Sequence, residues 1–136
     1  MIKPSDALME QFYQQLGRVF FLVAYADKDI HENEVAILKK TVNDIWLDFD
    51  HTFDETEADT GYQIEYMFDF LMTAPKSENA IITDFKVFVN DHKKMFNSKT
   101  NRLILETCEA IAKAFEGVNN DEERVIEKIR QVLLED

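Results

Sequence analysis

Glycine, proline and cysteine are scarce in this chain: three, two and one among 136 residues. So few turn-formers argue against a turn-rich β protein and suit helices joined by short connections. A lone Cys108 excludes an internal disulfide framework and is compatible with a reducing compartment. Bases are also few, 15 Lys and Arg against 27 Asp and Glu, for a net charge of −12. Affinity for phosphate backbones comes largely from Lys and Arg, so nucleic acid and anionic membrane surfaces are poor partners. Long apolar runs are missing too. The longest, Val19 to Ala26, is far too short to span a bilayer. The start, Met1-Ile2-Lys3-Pro4-Ser5-Asp6, lacks the basic and apolar regions of a signal peptide, so a cytoplasmic location is expected.

What is present points to a packed helical interior. The apolar fraction is 46%, with 11 Phe, 4 Tyr and 1 Trp, and the length suits one domain spanning 1–136. Apolar residues recur at helical spacing in six places, which predicts an all-α bundle of about six helices. The first, over about 5–26, carries Leu8, Phe12, Leu16, Val19, Phe20 and Val23, with Ser5 as its N-cap. The second, over about 32–47, carries Val35, Leu38, Val42 and Ile45. The third, over about 61–73, carries Ile64, Met67, Phe68 and Leu71, with Thr60 and Gln63 at capping-box spacing. After Pro75, Ser77 caps a fourth helix with Ile81, Phe85, Phe88 and Met95 on one stripe. The fifth, over about 100–115, presents Ile104, Cys108, Ile111 and Phe115, and the sixth, over about 120–134, presents Val125, Ile129 and Val132.

Between the second and third stripes, residues 48–59 hold Asp48, Asp50, Asp54, Glu55, Glu57 and Asp59 and no base. This reads as a long acidic loop, able to gather a cation or a basic partner, although such runs are more often simply solvated. Phe49 and Phe53 complicate the plainer reading, because rings in an acidic loop either tuck onto the bundle or await a partner. Asp48, Phe49, Asp50, Phe53, Asp54 and Glu55 are therefore the candidate contacts for a protein partner with a basic or apolar surface.

The chain also matches itself at an offset of 88 residues. The segment Ala24-Tyr25-Ala26-Asp27-Lys28-Asp29-Ile30-His31-Glu32-Asn33-Glu34 faces Ala112-Lys113-Ala114-Phe115-Glu116-Gly117-Val118-Asn119-Asn120-Asp121-Glu122. Val23 pairs with Ile111, Ile37 with Val125, Leu38 with Ile126 and Ile45 with Leu133. Each copy reads as a helix ending in small residues, a short turn with an Ile or Val anchor, and a second helix.

The pattern Ala24-x-Ala26-Asp27-x-x-Ile30-x-x-x-Glu34 resembles the tellurite-resistance TerB-like family, and Val118-x-x-x-Glu122 is similar to its second half-motif. In helix order the likeness extends over most of the chain, while its specific residues occupy about eleven positions in each copy. The family usually has Ala-Asp-Gly at the turn; here Lys28 replaces the Gly and Phe115 replaces the second Asp. The resemblance implies a compact helical bundle with pseudo-twofold N- and C-terminal hairpins. It also implies acidic turn residues able to bind divalent metal, and a role in bacterial stress or envelope-associated assemblies.

Asp27, Asp29 and Glu34, with Glu32 nearby, supply oxygens suited to a hard cation such as Ca²⁺ or Mg²⁺. The plainer reading is capping: Glu34 follows His31, and Glu122 follows Asn119, at the spacing for a bond back to the N-cap amide. An EF-hand is excluded, since counting from Asp27 puts His31 fifth, Glu32 at the glycine position and Leu38 where glutamate is needed. Di-iron bundles need paired Glu-x-x-His motifs, and Asp48 with His51 supplies only half of a comparable spacing. His92 reads as a surface residue near a helix end. Cys108, on an apolar stripe, reads as a small buried hydrophobe rather than a nucleophile. Gly17, Gly61 and Gly117 are too dispersed for a phosphate loop, and no Ser sits in a nucleophile elbow, so no enzymatic activity is expected.

Overall fold

The computed structural model describes residues 6–25, 77–114 and 120–134, together with Ala36, Lys40, Asp44, Tyr66, Met67, Asp69, Phe70, Leu71 and Thr73. These form helices α1 (Asp6–Ala24), α2 (Glu78–Asp91), a 3₁₀ turn (Lys93–Met95), α3 (Ser98–Ala114) and α4 (Asn120–Leu134). There is no strand among the described residues. The protein is therefore an all-α bundle, as the apolar periodicity predicts.

In α1 the buried positions begin as a stripe, Met9, Phe12, Tyr13 and Leu16, and then widen until every residue from Val19 to Ala24 is buried. A helix apolar all round belongs in the interior. Accordingly α1 packs against α2, α3 and α4. No helix among the described residues is long and apolar enough to cross a membrane.

The α2 helix starts as expected, with the Ser77 hydroxyl accepting from the Ala80 amide at 3.1 Å. It ends sooner than its stripe implies. Asn90, Asp91 and His92 are poor helix formers, and the backbone leaves the helix at His92 (φ −134°, ψ 46°). The His92 amide then closes onto the carbonyls of Phe88 and Val89. Met95, read from sequence as the last member of the α2 stripe, lies instead in the 3₁₀ turn, where it is still buried.

Phe96 anchors that turn. Its ring packs against Phe12 of α1 at 5.4 Å and against Phe85 and Phe88 of α2 at 5.9 Å each. Asn97 then caps α3, its Oδ1 accepting from the Thr100 amide at 2.9 Å. On α3 the buried Thr107 hydroxyl donates to the Leu103 carbonyl at 2.7 Å, which satisfies a polar group that would otherwise weaken the core. Along α4, Val125, Ile126, Ile129, Val132 and Leu133 are buried at helical spacing.

The self-match of the sequence reappears as a burial register. Leu16, Val19, Phe20, Val23 and Ala24 of α1 are buried, and so are Ile104, Thr107, Cys108, Ile111 and Ala112, each 88 residues further on. The register breaks at Gly17, Phe21 and Leu22, buried in α1, whose counterparts on α3 are half-buried (Leu105, Ala110) or exposed (Glu109). That difference follows from position: α1 is enclosed, whereas α3 has a solvent side.

Of the second predicted helix, Ala36, Lys40 and Asp44 are described; they are helical and exposed at four-residue intervals, as one solvent-facing side requires. Of the third, the described residues are helical, with Met67 and Leu71 buried and Tyr66 and Phe70 exposed. The remaining residues of both stripes lie outside the described set, as do Ile30, Phe115 and Val118 of the two turns.

Candidate functional site

The sequence offers two candidate sites. Asp27, Asp29 and Glu34 of the first inter-helix turn lie outside the described residues, and so do Asp48, Phe49, Asp50, Phe53, Asp54 and Glu55 of the acidic segment. The approach to the first turn is described. Beyond α1 the Tyr25 amide donates to the Phe21 carbonyl at 2.9 Å. The Tyr25 ring stacks on Phe21 with centroids 5.2 Å apart and planes 18° apart. This contact ends two residues before Asp27.

At the second turn the helical half of the motif is described. The α4 helix begins at Asn120, which makes Glu122 its third residue, the position a capping-box glutamate occupies. Glu122 is 1% exposed, in contrast to its neighbours Asp121 and Glu123. A buried carboxylate in a first helical turn is favoured by the positive end of the helix dipole. Its counterpart at the offset of 88 is Glu34.

The reactive side chains elsewhere are engaged in packing. Cys108 is fully buried, and burial pushes its thiol well above its ordinary pKa, so the nucleophilic thiolate is suppressed. His92 is the C-cap of α2, the helix-end place expected of it, and packs half-buried on the Phe88 ring at 4.6 Å. Among the described residues, no group of three or more His, Cys, Asp or Glu is placed to share a metal ion.

A groove of about 600 Å³ runs between α3 and α4, with Ile126 among residues of both charges: Glu109, Lys113, Arg124, Glu127 and Arg130. Three of its charges pair within it, while Arg124 turns to Glu78 outside it. Arg130 contacts both Glu127 and, at 3.9 Å, Glu109. Such balanced walls offer no net field to a charged ligand.

One feature escaped the sequence reading. From His92 to Leu105 the chain holds Lys93, Lys94, Lys99 and Arg102 and no acid, although acids outnumber bases almost two to one overall. Lys93 and Lys94 lie in the 3₁₀ turn that follows α2 and Lys99 and Arg102 in the first two turns of α3, and all four are exposed. A count of charge in a sliding window would have found it; the helix-by-helix search for apolar stripes did not.

No family model, curated protein or solved structure matches the chain.

Proposed function

We propose that this chain is a non-enzymatic helical module of TerB-like type, working in the cytoplasm by binding and assembly. The observation that carries the reading is the burial register shared by α1 and α3. Five positions from Leu16 to Ala24 and their counterparts from Ile104 to Ala112 are all buried. That is the pattern a duplicated hairpin, with pseudo-twofold N- and C-terminal halves, would leave in its first helices. The burial of Glu122 at the third position of α4 adds support, because the motif places a glutamate there in both copies. The resemblance points to a role in bacterial stress assemblies.

In this reading the first turn is a weak divalent-cation site, with Asp27, Asp29 and Glu34 as ligands to Ca²⁺ or Mg²⁺ and water completing the shell. The second turn is not, because Phe115 stands where Asp27 stands in the first. Affinity is expected near that of weak extracellular modules, about 10⁻⁴ M. Thermal melts with and without about 10 mM CaCl₂ or MgCl₂ should then show roughly 2.7 kcal/mol of stabilisation at a hundredfold excess of ligand. An Asp27→Asn, Asp29→Asn variant should lose it. Equal shifts in both proteins would mean that the cation only screens the −12 net charge. No shift in either would favour the second reading, a metal-independent interaction domain using residues 48–59. The exposed cationic corner between α2 and α3 supports that second reading, since its bases are opposite in sign to residues 48–59.

A further inference from the structure

We propose that the cationic corner between α2 and α3 docks the acidic segment 48–59 of a second copy of this chain. The proposal rests on the reading of the chain as a binding module and supplies its partner. The two stretches are complements in charge. Residues 92–105 hold four Lys and Arg and no acid, and residues 48–59 hold six Asp and Glu and no base.

Local stability accounts for only part of the corner. Lys93 and Lys94 follow the end of α2, where a cation favours the helix dipole. Lys99 does the opposite, lying in the first turn of α3, which holds no acid, and Arg102 follows in the second turn. There the dipole repels Lys99 and does nothing to favour Arg102. The first turn of α4, by contrast, holds Asp121, Glu122 and Glu123, the arrangement helix electrostatics favours. Among the described residues none of the four cations is in an ion pair, whereas Arg124, Lys128 and Arg130 all are.

The corner is also held in place. Met95 and Phe96 are buried beneath it, Phe96 is wedged against rings of α1 and α2, and Asn97 caps the helix that follows. Its cations therefore project from an ordered backbone, which lowers the ordering cost of binding. An acidic segment meets this surface through carboxylate–ammonium and carboxylate–guanidinium contacts. A second copy is favoured over an unrelated acidic protein because every molecule brings corner and complement in equal number. The contact is head-to-tail: it either closes reciprocally into a dimer or continues along a chain of copies.

Sedimentation velocity on the full chain, from micromolar to submillimolar concentration, tests this. Two salt conditions are used, about 0.1 M and about 1 M NaCl, where the screening length falls from about 10 to about 3 Å. The wild type should associate with concentration at the lower salt and weaken by about tenfold or more at the higher. Lys93→Glu with Lys94→Glu and Arg102→Glu should abolish association, as should Asp54→Lys with Glu55→Lys and Glu57→Lys. Mixing the two variants should restore it, because each then carries a partner for the other. Far-ultraviolet circular dichroism checks that both variants remain folded. A wild type that stays monomeric throughout overturns the proposal, as does association that persists in both variants or fails to return in the mixture. The cation melts are independent of this outcome, so failure of the self-association leaves the binding-module reading to its own test.

Discussion

Glu78 in the first turn of α2 accepts a hydrogen bond from Arg124 of α4 at 2.9 Å, across 46 residues of sequence. A second Arg124 nitrogen reaches the other carboxylate oxygen at 3.3 Å, and Lys128 donates to the same group. The Arg124 bond first, and then the Lys128 ammonium, hold the Glu78 carboxyl below its ordinary pKa despite the opposing effect of burial. One side chain thus favours the dipole of its own helix and ties two helices together.

A carboxyl whose pKa is depressed by folding contributes stability above its unfolded pKa and loses it as the pH falls through the folded value. Glu78→Gln should therefore destabilise the protein at neutral pH by about 0.2–1 kcal/mol, the range for a solvated ion pair. The two proteins should converge as the pH falls below 4.5, the ordinary value for this group. Urea titrations at several pH values measure this. A difference that stays constant into strong acid would show that the pair adds nothing.

Leu16 and Ile104 are fully buried counterparts on α1 and α3. Truncation of either to Ala should cost about 2–5 kcal/mol, because each leaves a void in an enclosed site. Chemical denaturation of the two variants decides it. A loss below about 1 kcal/mol at either position would mean that its surroundings collapse freely, unlike a packed core.

Ser77→Ala removes the oxygen that accepts from the Ala80 amide. It should cost about 1 kcal/mol, while Ser77→Gly should cost only a few tenths. Equal losses in the two variants would argue against a capping role.

Cys108 should resist alkylation in the native protein, since it is fully buried and its thiolate is disfavoured. Maleimide labelling, followed by mass spectrometry, should run slower than in denaturant by about a hundredfold or more, because it waits on opening of the fold. Comparable rates would place the thiol within reach of solvent.

Much of this was legible from local pattern. The stripes of α1, α2, α3 and α4, the Ser77 cap and the burial of Cys108 all follow from spacings of three and four residues, or from one hydroxyl beside a helix start. These are short-range rules, satisfied within a single helix. The candidate sites are another matter. Asp27, Asp29, Glu34 and the acidic segment were chosen by residue type, and they lie outside the described residues. The cationic corner is described but was passed over, because its residues interrupt the apolar pattern rather than forming it.

Tertiary packing decided the rest. The apolar run from Val19 already marks the C-terminal end of α1 for the interior, but that it is α2, α3 and α4 that pack on this helix is a tertiary outcome. Met95 kept its place in the core while leaving the helix assigned to it, since three poor helix formers end α2 and the Phe96 ring anchors the turn beneath α1. Glu78 found Arg124 and Lys128 only because α2 and α4 pack side by side. The sequence by itself determined which residues lie on the inner face of each described helix, because that is a matter of angle about one axis. Which helices pack on one another and which charges meet or stand unpaired depended on contacts between distant segments, and no local period encodes those.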